Sequence, residues 1–354
     1  MVENYVISVD AMGGDRAPLT VVRGLARFFS NGNTSDLRFI LHGDKEQLSS
    51  LVKEYKFDSN LVEIRHAPDV ISMNEKPTAA LRKGRNSSMW HAVESVQKKE
   101  ADVVCSAGNT GALMAMSFMQ MKILDGIDRP AIAANWPKFR STKSAIVLDL
   151  GADVRASARN LVQYAIMGSE FCRIMMNLDE KPKVALLNVG TEETKGLQHI
   201  RDASQQLKTI ANKPNARFEY ISFIEGSDIM TSPADVVVTD GFSGNIALKT
   251  AEGSVRFAFS VIQDTLASRS FLCKLAGWAF FPALKEAKRI IDPRGRNGGI
   301  FLGLNGAVVK SHGAADAVGV ENALNLSAIV ARNNLTARIS EQITLLTLET
   351  DVNI

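Results

Sequence analysis

The segment DVVVTDGFSGNIALKT, residues 235–250, sets Asp240, Gly241, Ser243, Gly244 and Asn245 after three valines and before a helical pattern that begins at Ile246. The β-branched run Val236–Val238 is of the kind that fills a buried parallel strand. A strand that turns through glycines into a helix aims backbone N–H groups and the positive end of the helix at one spot, which suits an anion. Asn245 and Lys249 project from the same helix face, one turn apart. Related turns recur along the chain. VDAMGGDRAP carries Gly13 and Gly14, and CSAGNTGALMA carries Asn109, Thr110 and Gly111. LDLGADV follows, then LLNVGTEETKG with Lys195, and finally VVKSHGAAD with Lys310, Ser311 and His312. The pooled inventory is glycine N–H groups, small hydroxyls, amides and lysines, which suits phosphate and a developing oxyanion better than a metal ion. Asp10, Asp15 and Asp240 read as turn anchors, because a carboxylate repels phosphate.

Other chemistries find less support. No turn matches a P-loop or a clean G-x-G-x-x-G, so nucleotide fingerprints are missing. No G-x-S-x-G elbow is present. Cys105 ends a strand directly before the Ser106–Gly111 turn; an acyl-cysteine is conceivable, but a small core residue is the favoured reading. The five histidines show no metal-ligand spacing, so no metal and no cofactor is expected. His312 alone lies in a polar strand-end turn, open to either proton transfer or a structural hydrogen bond.

Elements that would hold these turns alternate along the chain. Strand patterns fall at Tyr5–Val9, Leu37–Leu41, Val62–Ile64, Val103–Cys105, Ala145–Leu148, Val184–Leu187, Phe218–Phe223, Val236–Val238 and Ala307–Val309. Helical spacing falls at Pro18–Phe29, Ser87–Lys98, Leu161–Met176 and Gly244–Leu266. This order predicts a doubly wound, mainly parallel α/β sheet with ligand turns at the strands' carboxyl ends. The stretch Gly126–Lys143, broken by Pro130 and Pro137, reads as a possible boundary, though 1–354 is taken as a single large α/β domain. A length of 354 residues allows an ample core, and 45% hydrophobic with 22% charged residues is ordinary for a globular protein. A net charge of +3 and 6% aromatics argue against nucleic acid as a partner. Three scattered cysteines favour reduced thiols in a cytosol, and the start MVENYVISVDAMGG predicts no signal peptide.

In order along the chain, DAMGGD, KPTAALRKGRNSSM, SAGNTGALMA, GIDRPA, LLNVGTEETKG, DVVVTDGFSGNIALKTAEG and GLNGAVVKSHGAAD resemble the bacterial phosphate acyltransferase family of phospholipid synthesis. The resemblance covers about residues 5–330. It implies conversion of acyl-[acyl-carrier-protein] and inorganic phosphate into acyl-phosphate, which feeds a membrane-bound glycerol-3-phosphate acyltransferase. It also implies a three-layer α/β/α fold like that of phosphotransacetylases and isocitrate-dehydrogenase-like proteins, and a homodimer. By motif, the family's catalytic lysine falls on Lys195 and its catalytic asparagine on Asn245. Two departures stand out: Arg16 replaces the histidine that often follows GGD, and GADVR at 151–155 replaces GANVD. Phosphate is already nucleophilic and a thioester already activated, so the protein's task is to hold the two together and receive the oxyanion, for which Asn245 is the candidate donor.

Two surface regions complete the expectations. Residues 266–291 place Phe271, Leu275, Trp278, Phe280 and Phe281 among several basic residues and a single acid, Glu286. The stretch is too interrupted to span a bilayer; it predicts a protruding helical hairpin that either lies on an anionic membrane surface or packs as a dimer-interface helix pair. With the resemblance, this places the protein in the cytoplasm, attached peripherally to the inner face of the membrane. Arg82, Lys83 and Arg85 form a basic cluster that would receive an acidic carrier protein or stand as a solvated helix face. A phosphotransacetylase-like enzyme using acyl-coenzyme A, a decarboxylating dehydrogenase on the related fold, and a non-catalytic scaffold are the competing readings. The dehydrogenase would need metal-binding aspartates and a nicotinamide site, and the sequence shows neither pattern.

Overall fold

A computed structural model describes residues 4–32, 34–139, 141, 144–267 and 298–348. Its strands are β1 (Tyr5–Asp10), β2 (Leu37–Gly43), β3 (Val62–His66), β4 (Val103–Ser106), β5 (Ala131–Pro137) and β6 (Ser144–Leu148). They continue with β7 (Lys183–Leu187), β8 (Glu219–Ile224), β9 (Val236–Val238), β10 (Gly299–Leu302) and β11 (Ala307–Lys310). The helices are α1 (Leu19–Asn31), α2 (Lys45–Glu54), α3 (Pro77–Lys83), α4 (Ser88–Gln97) and α5 (Thr110–Met121). After these come α6 (Ala158–Met176), α7 (Gln198–Ala211), α8 (Gly241–Ala267), α9 (Ala317–Arg332) and α10 (Leu335–Leu348).

The described strands form one sheet in the order β3-β2-β1-β4-β11-β10-β5-β6-β9-β7-β8. Two parallel blocks, β3-β2-β1-β4-β11 and β6-β9-β7-β8, flank an antiparallel seam made by β10 and β5. Every predicted strand is present within a residue or two of its expected bounds. The seam strands are the additions. Within the stretch Gly126–Lys143 lies β5, hydrogen-bonded on both sides.

Alternate residues of the strands enter different cores, as a pleat buried on both faces requires. Phe39 and Leu41 face the core that α1 and α9 close, while Ile40 faces the one formed with Met89, Val93 and Leu113. Val236 and Val238 likewise point one way and Val237 the other. The molecule is thus a mainly parallel, doubly wound α/β sheet with helical layers on both faces.

The seam decides where the site lies. Each antiparallel pairing reverses direction, so the β6 block runs opposite to the β11 block. Lys310, the last residue of β11, pairs with Gly299. Leu148, the last residue of β6, pairs with Ala133, whose other partner is Ile300. The carboxyl ends of both blocks therefore stop at almost the same level on either side of the seam, and their turns face each other across it.

Candidate active site

The wall on the β6 side is built around a buried carboxylate. Asp149 is fully buried and accepts backbone N–H bonds from Ile132 (2.9 Å), Gly151 (3.1 Å), Ala152 (3.0 Å) and Asp153 (2.6 Å). Burial raises its pKa, and these hydrogen bonds pull the other way. The effect is to curl residues 149–153 around one acceptor. Gly151 sits at φ +131°, where a side chain would be strained, and its missing Cβ would lie 3.6 Å from the Asn245 side chain. Asp153 accepts the Tyr164 hydroxyl at 3.1 Å, so this carboxylate braces the turn.

Helix α8 starts against this turn. Asp240 accepts the Ser243 N–H at 2.8 Å and the Ser243 hydroxyl at 2.9 Å, a cap that satisfies an otherwise unpaired helix donor. Gly244 leaves no room for a Cβ, because the Asp149 carbonyl and Thr239 Cγ2 occupy that space. This close approach presents Asn245, then Lys249 one turn later. Lys249 donates to Glu252 at 3.2 Å, and Glu252 is buried.

The opposite wall comes from β1, β4 and β11. Asp10 is buried and accepts the Ser88 and Ser106 hydroxyls at 2.6 and 2.7 Å; burial raises its pKa against those bonds. Ser106 in turn accepts the Gly108 N–H at 3.0 Å. Gly13 and Gly14 pack behind this turn: a Cβ on Gly13 would meet Asp10, and one on Gly14 would meet Ala107 and the Gly313 carbonyl. Asn109 caps α5 by accepting the Ala112 N–H at 3.0 Å, and its amide clamps the carbonyls of Met73 and Glu75, each at 2.9 Å. Arg16 donates to the carbonyls of Ala314 and Ala315, tying the first turn to the last.

Lys310 and Ser311 are buried at the end of β11, and the Lys310 ammonium donates to the Ser311 carbonyl. Burial lowers the Lys310 pKa to about 8, opposed by the neighbouring Cys105, Asp10 and Asp15. The Nδ1 of His312 accepts the Ala314 N–H at 3.1 Å, so in the neutral ring Nε2 carries the proton. Cys105 is buried and its thiol is pushed up to about 12, which keeps it protonated and unsuited to acyl transfer.

These walls enclose a cavity of ≈ 320 Å³ over the seam. Of the sequence candidates it brings together Thr110, Asn245, Lys249, Lys310, Ser311 and His312. Gly111 lines a neighbouring groove. Gly13, Gly14, Asn109, Ser243 and Gly244 shape the walls from behind. Lys195 lies on the loop after β7, exposed, and does not line the cavity. Arg82, Lys83 and Arg85 are exposed at and just beyond the end of α3, with the Arg85 guanidinium 5.9 Å from the centre of the Trp90 ring. Phe271, Leu275, Trp278, Phe280 and Phe281, and the hairpin expected at 266–291 beyond Ala267, lie outside the described residues.

The wall residues that sequence reasoning missed include Asn135 and Trp136 on β5, Gly151, and Glu252. The Trp136 indole N–H is buried with no partner among the described residues. The alternation of Ile132, Ala134 and Trp136 with Ala131, Ala133 and Asn135 in a seam strand gave no signal, because the strand itself was not recognised.

A family model described as fatty acid synthesis protein matches residues 5–338. The chain is 47% identical to a phosphate acyltransferase of Ruegeria sp. (strain TM1040), covering 96% of this chain and 88% of that protein. A phosphate acyltransferase of Jannaschia sp. (strain CCS1) is 44% identical over 97% of this chain and 92% of its own. The chain belongs to the phosphate acyltransferase family. It is accordingly an acyltransferase enzyme of fatty acid and phospholipid synthesis. Its fold resembles a phosphotransacetylase from Streptococcus pyogenes, with a TM-score of 0.61 at 18% identity over 93% of this chain and 94% of that one. It also resembles the EutD phosphotransacetylase from Staphylococcus aureus, with a TM-score of 0.59 at 15% identity over 93% and 96%.

Proposed function

We propose that this acyltransferase moves an acyl group from an acyl carrier protein thioester to inorganic phosphate in the cavity over the seam. A phosphate oxygen attacks the thioester carbonyl carbon and the C=O pair moves onto oxygen. Collapse of that intermediate breaks the C–S bond, leaving acyl-phosphate and the carrier's thiolate, which takes a proton from water. The observation that carries the reading is the pairing of the Asn245 amide on one wall with the buried Lys310 ammonium on the other. Lys310, Thr110 and the start of α5 suit phosphate, and Asn245 suits the oxyanion. No protein nucleophile is required, and holding the reactants together supplies much of the rate.

Lys195 follows the family's motif on the loop after β7, a strand two positions from β6 in the sheet and roughly 10 Å from it. We assign it to charge neutralisation at the cavity rim when substrate is bound. Arg82, Lys83 and Arg85 are assigned to the acidic carrier. Among the described residues no helix is long and apolar enough to cross a membrane. Homodimer formation, peripheral attachment to the inner face of the cell membrane through residues 266–291, and delivery of product to a membrane-bound glycerol-3-phosphate acyltransferase rest on the sequence resemblance.

The test supplies phosphate with palmitoyl-acyl carrier protein or palmitoyl-coenzyme A and measures acyl-phosphate by hydroxylamine trapping. Turnover with the carrier substrate is expected. Product from coenzyme A alone would replace the donor, and product from neither would overturn the reaction. Lys195→Ala is expected to raise the KM for phosphate; unchanged kinetics would remove its role.

A further inference from the structure

Beside the cavity runs a second, larger hollow of ≈ 880 Å³, and the two share Thr110, Ile132 and Gly151. They adjoin at these residues. From the shared residues the walls of the larger hollow diverge along two elements. Helix α5 provides one wall: Met114 and Phe118 form a row at four-residue spacing, and Ala115 and Met119 form a second. Opposite them stand Ile132 and Pro130 at the start of β5. The far end is marked by Lys122, just past the end of α5, and by Arg129. Among the described residues the only carboxylate in the lining, Asp153, is already engaged by Tyr164.

Phe118 and Met119 are 44% and 43% exposed, large apolar side chains turned outward beside a reaction centre. An apolar strip rimmed by charges marks a ligand groove. From Thr110 to Lys122 the helix rises about 18 Å, the scale of a long fatty chain and far more than acetyl needs. Two methionines in the lining give a wall that adapts to chains of different length.

We propose that this groove holds the fatty acyl chain of the thioester, carbonyl toward Asn245 and Thr110, methyl end toward Lys122 and Arg129. The inference rests on the acyl-transfer reading above. α5 then serves both substrates: its N-terminus meets the phosphate and its side face takes the hydrocarbon.

The test compares butyryl- and palmitoyl-acyl carrier protein, so that carrier docking cancels. Ala115→Trp fills the groove from a half-buried position, and Met119→Lys places a charge in it from an exposed one. Each is expected to lower kcat/KM for palmitoyl transfer on the order of 100-fold while butyryl transfer stays within about 3-fold. Equal losses for both chains, or none in either variant, would overturn the groove. Binding of cis-parinaric acid, followed by fluorescence without phosphate, should be lost in Ala115→Trp. If the wild type makes no acyl-phosphate yet binds the probe in an Ala115-dependent way, the reaction falls and the groove stands. A change of oligomeric state in Met119→Lys with chain-length dependence intact would make this face an interface between copies, and the proposal would fail.

Discussion

Replacing Asn245 separates the chemistry from the fold with little interference. The residue is exposed on α8 beyond the Asp240 cap, and its amide makes no hydrogen bond among the described residues. Truncation therefore removes nothing that stabilises the native state, and alanine is the better helix former by a few tenths of a kcal/mol. The melting temperature of Asn245→Ala should match or slightly exceed the wild type. A donor to a developing oxyanion contributes roughly 2.7–4 kcal/mol. Because Asn245 is open to water until substrate arrives, the lower end applies, giving a loss in kcat of about 100-fold.

The kinetic pattern discriminates between roles. A bond made only in the transition state lowers kcat and kcat/KM together and leaves KM unchanged. An amide that merely held phosphate would raise the KM for phosphate at constant kcat. Asn245→Asp keeps the shape, removes the donor and sets a carboxylate against phosphate; at about 4 Å that repulsion is worth about 4 kcal/mol at a near-surface dielectric. Aspartate should therefore be worse than alanine. Steady-state assays with purified variants decide the matter. A kcat for Asn245→Ala within 3-fold of wild type, or an aspartate variant more active than the alanine one, would refute the oxyanion role.

Lys310 should impose an alkaline limb: kcat/KM for phosphate falls as pH rises through about 8, because the ammonium is lost, and Lys310→Arg should abolish that limb in a pH–rate profile. In the folded state its pKa lies below the ordinary lysine value of 10.5, so the unfolded chain holds the proton longer and this group's contribution to stability rises with pH between about 8 and 10.5; chemical denaturation across that window measures it. Asp149→Asn sets an NH₂ against a backbone N–H, whichever way the amide is turned, and should cost about 2 kcal/mol in denaturant unfolding. The same variant loosens Gly151 beside Asn245, so its kcat should fall as well.

The strands legible in the sequence are those whose apolar runs need no partner to be recognised, such as VVV at 236–238 and VVCS at 103–106. The seam was hidden for a physical reason. AIAANWP holds a single β-branched residue and lies between prolines, and GIFL is a four-residue strand flanked by glycine. Their strand character comes from pairing between residues far apart in the chain, which no local pattern carries. Without the seam, the opposed ends of β6 and β11 could not be seen to meet, nor Trp136 and Asn135 to line a cavity. The turns themselves were legible, but not the direction of each donor. Asn109 and Ser243 were pooled with phosphate ligands, whereas both stand where cap chemistry claims them: Asn109 three residues before Ala112, and Ser243 three after Asp240.

That diversion explains how an anion site coexists with so many nearby acids. Asp10, Asp149, Asp153 and Asp240 lie within the turns that make the walls, yet each accepts hydrogen bonds from hydroxyls or backbone N–H groups. Four potential sources of repulsion thus become the braces of the loops. Among the described residues the cavity lining is left with amides, hydroxyls and lysines, and its one carboxylate, Glu252, is paired with Lys249. The braces form when the protein folds, so the turns that carry the donors are set before substrate binds. Preorganisation of this kind is what makes a donor worth more in a transition state than in water. The acyl groove follows the same economy of parts, because the helix that Asn109 caps at the phosphate end also carries the apolar rows that leave it.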